Sequence, residues 1–373
     1  MPIAVRPNKA TGELDTIIVG PVAGIDTKSP VVAGNSGTAL MENHWESLQN
    51  MRLVNGQPVR MDGSTLYATG FVVPDNASPT FAKPYVASDG TLVWVVISAA
   101  GIAYTVAVSG GVATFTQRRT GLSGTPLFSS GVQLGDYMII CNRSDAHHWK
   151  WDGTNFMPLG GRMISDMETD ETWTGGTANT TAGQFREGSQ GQSRESTGTA
   201  VTIVRTLSSV DFTDGLLLAK VYPTTGTVVA RIHFFFYVAT AADVDLTTTF
   251  VRFGDAGDAN YFQAAASVAN WGTLANGLNE INIPLTSFAS TGVPVWTDID
   301  KITFQFDTTG ATMTFTVDDL YVRYAATETM PPAQVNGELK GVYFAGDTTT
   351  NGRSAVQFGR VGGPDEYDAT AFF

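Results

Sequence analysis

Cysteine is nearly missing from this 373-residue chain: Cys141 stands alone, so no disulfide can form within it. Its place in the apolar run Tyr137-Met138-Ile139-Ile140-Cys141 marks the thiol as a small buried hydrophobe. Basic side chains are scarce too, 22 Lys and Arg against 35 Asp and Glu, which gives a formal charge of −13. Gripping nucleic acid needs clustered cations on the phosphates, and Arg118-Arg119 is the one adjacent basic pair. A chain so acidic could still line a conduit along which DNA passes without sticking.

Catalytic equipment is thin as well. The four histidines are His44, His147, His148 and His233, and no Gly-x-Ser-x-Gly elbow, phosphate loop or His-Glu-x-x-His is present. His147 and His148 would point to opposite faces of a strand, and so would Asp318 and Asp319, which argues against a shared metal or an acid/base couple. The sequence therefore predicts a protein that is not an enzyme. No apolar run approaches the ~18 residues of a membrane span, and nothing after Met1 reads as a secretion signal. The expectation is a chain made in a cytoplasm, with no membrane span.

What is abundant is strand and turn material: 40 Gly, 16 Pro and many Thr and Val residues predict an all-β protein. Residues 1–50 read as an extended arm, with a helical turn expected over 41–48. Asn55-Gly56 then marks a hairpin between 50–54 and 57–61. Strands at 92–97, 102–108 and 112–116 form one meander, and 126–128, 137–142, 146–151 and 156–159 form a second. Each group spans about 35–40 residues, the size of a propeller blade. A closed propeller needs about four blades or more, and this chain has sequence for two or three. Residues 162–327 differ in character. They hold 18 acidic and 9 basic residues, a balance of −9 that leaves −4 for the rest. Strands at 200–207, 216–221, 228–239, 248–253, 279–285, 302–306 and 315–322 give the count of a jelly-roll sandwich. The reading is a partial β-propeller-like body with an inserted β-sandwich jelly roll: an arm (1–50), a body (51–161), the insert (162–327), expected to fold alone, and a return to the body (328–373).

The ordered motifs Gly24-Ile25-Asp26-Thr27-Lys28-Ser29-Pro30, Leu48-Gln49-Asn50-Met51-Arg52-Leu53-Val54-Asn55-Gly56, Trp151-Asp152-Gly153, Tyr343-Phe344-Ala345-Gly346-Asp347 and Gly363-Pro364-Asp365-Glu366-Tyr367 resemble the tail nozzle proteins of short-tailed bacteriophages. The resemblance covers about 1–160 and 337–373. It implies a structural component of the virion tail, made in the host cytoplasm and assembled as a ring below the portal. That ring would be hexameric and in contact with the portal or adaptor protein and other tail proteins, with genomic DNA passing transiently through it. The incomplete blade series suggests unpaired edges at 342–344 and at Phe372-Phe373, available to neighbouring copies, with the insert projecting outward.

The insert itself, closing on Val317-Asp318-Asp319-Leu320-Tyr321-Val322, resembles galactose-binding-like jelly rolls that serve as carbohydrate-binding modules. That resemblance implies a structural calcium held by Glu168, Glu187 and Asp318, although acids at strand ends are also simply solvated. Asp255 and Asp258 read as turn formers. For a host surface glycan, the aromatics that could stack on a sugar are Trp271, Trp296, Tyr261 and Tyr222, against the common alternative that sandwich aromatics are core. Two readings result: a phage tail component with an outward jelly roll, or a carbohydrate-binding adhesin without catalytic activity.

Overall fold

The structure is a computed structural model that describes residues 70–123, 130–142, 144–145, 147–213, 230–323, 333–339, 342–346 and 356–358 in full. It also gives the backbone of strands lying within 3–60 and 347–372. Two compact units divide the chain, 1–67 and 68–373. In the first unit Ile3–Pro7 pairs with Leu14–Ile18, and Met51–Val54 with Gln57–Arg60, both antiparallel. Val54 lies opposite Gln57, as a two-residue Asn55-Gly56 connection requires. His44–Trp45 belongs to a parallel pair with Gly24–Ile25, not to the helical turn expected there; eight residues are too few to pay the nucleation cost of a helix without packing.

The second unit contains three four-stranded antiparallel meanders. The first runs Val112–Arg119, Ala103–Ser109, Leu92–Ser98, Pro79–Val86 in spatial order. Its turn at Gly110-Gly111 has φ of 58° and 77°, the conformation a tight hairpin demands and glycine adopts freely. Pro79–Val86 escaped the sequence reading because of its prolines; it is an edge strand, where a residue without an N–H costs no ladder bond. The second meander is Ser130–Leu134, Tyr137–Cys141, Trp149–Trp151 and Phe156–Pro158. The third is Ala333–Leu339, Val342–Thr348, Gly352–Arg360 and Gly363–Phe372.

Strand alternation joins the three in series. Met138 and Ile140 pack with Phe81, Val95, Ile97 and Trp151 on one side, while Ile139 packs with Leu159, Ala333, Tyr343 and Ala345 on the other. This is the stacking of propeller blades. Val342–Thr348, expected as an open edge, is instead paired on both sides, and the Tyr343 hydroxyl is buried 2.5 Å from His148 Nδ1. Burial pushes the Cys141 thiol up to about 12.

Between the second and third blades the chain builds a two-sheet sandwich. A six-stranded sheet holds Thr177–Asn179, Gly191–Ser196, Met313–Arg323, Arg231–Val238 and Gly277–Pro284 in order, with Gly161–Ser165 also paired to Met313–Arg323. A five-stranded sheet holds Val201–Val210, Ile299–Phe306, Phe250–Gly254, Tyr261–Ala265 and Ala289–Thr291. Alternate residues meet between the sheets, among them Ile203, Phe234, Phe236, Val251, Phe253, Phe304, Phe306 and Phe315. Each such side chain contributes about 1.5–3 kcal/mol by leaving water. Entry and exit strands lie side by side, so the chain leaves the blade series at Gly161 and returns at Arg323. Among the described residues no helix is long and apolar enough to cross a membrane.

Candidate functional site

The six-stranded sheet is buried on both faces. Ile232, Phe234 and Phe236 face the sandwich core, while His233 and Phe235, pointing the other way, are buried too. The first blade covers that outer side. Its last strand runs on past Gln117: Arg119 bridges Glu187, Thr120 N–H donates to Arg186 O (2.8 Å), and Gly188 N–H donates to Arg118 O (2.7 Å). From the second blade, Lys150 Nζ donates to Gly161 O (3.0 Å), and Arg323 Nε returns a bond to Leu159 O (3.2 Å).

Arg119 is the centre of this junction. It is 1% exposed, and its guanidinium meets Asp319 Oδ2 (2.5 Å), Glu187 Oε2 (3.2 Å) and Phe156 O (2.9 Å), with the Trp149 and Phe235 rings 4.9 and 5.6 Å away. Burial works against its charge, and the carboxylates of Asp319 and Glu187 overcome that. Asp318 is turned to the same place: its Oδ2 accepts Arg186 N–H (2.6 Å) and Glu187 N–H (2.9 Å). The alternation that should separate Asp318 from Asp319 fails at a β-bulge. His233 pairs with Tyr321 and Phe235 with Asp318, so Asp319 and Leu320 together stand opposite Phe234 alone, with Asp319 at φ 56°. Two buried carboxylates thus share one guanidinium, and a third, Asp318, is held beside them by backbone N–H groups. Burial, then the like charge of Asp319, holds the Asp318 carboxyl well above the usual carboxylate range, and burial raises Glu187 in the same direction.

The acids expected to hold calcium are therefore only partly brought together. Glu187 and Asp318 meet, but Glu168 spends its carboxylate on Ser189 N–H (2.7 Å), the Ser189 hydroxyl (2.7 Å) and Gln190 N–H (3.1 Å). Among the described residues no three His, Cys, Asp or Glu side chains are arranged for a metal ion, and Arg119 supplies the positive charge where the ion was expected. The residues present do not fit calcium.

The aromatic candidates separate in the same way. Trp271 is a correction: at 4% exposure it packs on Phe234 and Phe236 (5.2 and 5.4 Å), because the Ser267-capped turn Val268–Trp271 folds it into the core. Trp296 is half-buried and stacked at 4.0 Å on Phe262, closing the end of the same core. Tyr222 lies outside the described residues. Asp255 is the turn former expected, accepting from Ala259 N–H (3.0 Å) and Asn260 N–H (3.0 Å), and Asp258, at φ 57°, pairs with Lys301 (2.5 Å).

Tyr261 alone faces outward, on the five-stranded sheet, and the sheet's register sets its neighbours. One row runs Val204, Thr303, Arg252, Gln263, Ala289 and the next Thr206, Lys301, Gly254, Tyr261, Thr291; a third holds Thr202, Gln305, Phe250 and Ala265. Arg252 lies flat in the middle, its guanidinium 3.9 Å from the Tyr261 ring and 4.7 Å from Phe250. Its Nη2 and Nε donate to Gln263 Oε1 (2.7 and 3.1 Å). Hydroxyls, amides, a fixed guanidinium and an aromatic ring on one flat face can contact a polyhydroxy ligand along its length. The sequence reading missed Arg252 and Gln263. A single polar residue between core residues, as in Val251-Arg252-Phe253 and Phe262-Gln263-Ala264, was the signal available.

No family model matches the chain, and no curated protein matches it. Among solved structures it is similar to the family 11 carbohydrate-binding module of a cellulosomal cellulase of Clostridium thermocellum, at 17% identity over 45% of this chain and 96% of the module, TM-score 0.32. A family 30 carbohydrate-binding module shares 12% identity over 47% of this chain and 82% of its own, TM-score 0.31. A module specific for non-crystalline cellulose shares 15% over 44% and 87%, TM-score 0.23. A likeness of this degree says nothing about a ligand for this chain, whose sandwich is defined by its own two sheets.

Proposed function

We propose that this chain is a non-catalytic structural component of a short-tailed bacteriophage tail, in which the blades form the body and the sandwich offers its five-stranded sheet to a host surface glycan. The observation that carries the glycan reading is the outward face centred on Arg252 and Tyr261. It lies on the opposite side of the sandwich from the sheet that the first blade covers, so a ligand there would meet no part of the junction. The tail reading is supported by the ordered motifs of the two body segments and by a series of three blade-like sheets, fewer than a closed propeller uses. Assembly as a ring, hexameric and in contact with portal or adaptor, belongs to this reading.

The test of the glycan face is a screen of the full chain against neutral and acidic polysaccharides, followed by calorimetry on the best binder. Arg252→Ala and Tyr261→Ala should each weaken binding roughly tenfold, about 1–2 kcal/mol, without changing the melting temperature by more than a few degrees. Unchanged affinity in both variants would place the ligand elsewhere. Recovery of the chain from purified particles in fixed ratio to the portal separates the tail component from an adhesin acting on its own.

A further inference from the structure

Where the first and second blades meet the six-stranded sheet there is a cavity of about 140 Å³, partly open to solvent. It is far from the outward rows of the five-stranded sheet in the order of strands, and its polar groups are of a different kind. Arg186 lines it with a guanidinium that makes no hydrogen bond or ion pair among the described residues; one of its faces lies over the Phe235 ring, at 5.6 Å. The guanidinium is also laid close to Gly121, whose φ is 79° and where an added Cβ would come within 2.6 Å of Arg186 Cζ. Glycine at this point leaves the guanidinium room to lie flat.

Tyr321 also lines the cavity. It is 1% exposed, its ring stacks on His233 at 4.8 Å, and its hydroxyl has no hydrogen-bond partner among the described residues. The hydroxyl reaches the cavity, and a phenol that can both donate and accept is able to pair with a ligand hydroxyl placed there. Glu280, whose side chain is 47% exposed, adds an acceptor, with one oxygen 3.6 Å from His233 Nδ1. Trp149 and Phe235 supply apolar wall. The other acid on the cavity, Asp145, is engaged with Ser123 N–H (2.5 Å), Asn142 Nδ2 (2.8 Å) and Trp149 Nε1 (2.8 Å).

We propose that this cavity binds a small hydroxy-carboxylate, with Arg186 holding the carboxylate as a planar fork and Tyr321 and Glu280 taking a neighbouring hydroxyl. A guanidinium with all its donors free matches the two oxygens of a carboxylate, and an apolar wall suits the carbon skeleton between acid and hydroxyl. Size limits the part enclosed: a cavity of about 150 Å³ accommodates benzene, so about six non-hydrogen atoms fit. A free hydroxy acid such as lactate fits whole, whereas an acidic sugar would enter by its carboxylate end and leave the rest of its ring outside.

Isothermal calorimetry on the full chain with lactate, glucuronate, acetate and glucose tests this. Lactate or glucuronate should bind with a Kd of about 1 mM or tighter, acetate more weakly and glucose not at all. Arg186→Met should lose roughly tenfold or more for every carboxylate, and Tyr321→Phe several-fold for the hydroxy-carboxylates with acetate unchanged. Lactate alone binding identifies a free hydroxy acid, and glucuronate alone identifies an acidic sugar. Far-UV circular dichroism checks the fold of each variant. If Arg186→Met does not fold, Arg186→Lys, which keeps the charge and loses the fork, is read in its place and should show the same loss. No binding of any carboxylate by the wild type, or equal binding by the Arg186 variant, overturns the assignment. The glycan face on the five-stranded sheet shares none of these residues, so neither result decides the other.

Discussion

Arg119 is the residue on which the most depends. It is a buried cation with two carboxylate partners, contributed by the first blade to a sheet it does not belong to. Removing one member of such a group leaves the rest buried and uncompensated, so Arg119→Met should destabilise the full chain by about 3–5 kcal/mol in urea unfolding, while the triple change Arg119→Met with Glu187→Gln and Asp319→Asn should recover much of that. The acids give a pH dependence whose sign can be worked out. Asp318, Glu187 and Asp319 are raised in the folded protein, and burial, then the Glu171 charge, lifts Asp166 to about 6. A raised carboxyl keeps its proton in the folded chain when the unfolded chain has lost it. Stability is therefore fully present below the ordinary carboxylate range and falls as pH climbs through the folded values. Glu280 runs the other way, lowered to about 2 chiefly by the His233 imidazole 3.6 Å away, and loses its contribution only in strong acid. The melting temperature should thus be higher near pH 5 than near pH 8, and Asp318→Asn should flatten that slope.

At the scale of elements, periodicity made much of the fold legible. Tyr137–Cys141 reads as a strand buried on both faces and is one; Ile302-Thr303-Phe304-Gln305-Phe306 alternates and does so in the sheet. Three kinds of element were not legible, each for a physical reason. Pro79–Val86 is disguised by prolines that only an edge strand tolerates. Thr177–Asn179 and Gly191–Ser196 carry no apolar alternation, because they lie at one margin of the six-stranded sheet. Asp318 and Asp319 follow the period-two rule in sequence and break it in space through a bulge set by the partner strand. Glu187, expected to hold calcium, instead meets a cation from residue 119, about 70 residues earlier, a pairing that no local pattern encodes, and the expectation that the insert folds alone turns on the same contact. A segment cut to 162–327 would lack Arg119 and expose Phe235 and Tyr321. It should unfold at markedly lower urea than the sandwich within the full chain, and equal stability of the two would show that Arg119 is dispensable.

For the whole molecule, the blades and the sandwich are joined on one sheet and free on the other. The six-stranded sheet has both faces occupied, by the core and by the first blade, while the five-stranded sheet keeps a polar outward face with Arg252 and Tyr261 in its middle rows. That division gives the proposed tail component its orientation: contact with the body on one side, contact with a host surface on the other. The formal charge of −13, with Arg119 of the single adjacent basic pair consumed inside the junction, leaves little to hold DNA passing by. Cryo-electron microscopy of the purified particle tests this account most directly. It predicts copies of the chain in a ring below the portal, each with its blades toward its neighbours and its five-stranded sheet facing away from the channel. Absence of the chain from the particle, or a ring in which that sheet lines the lumen, would contradict it.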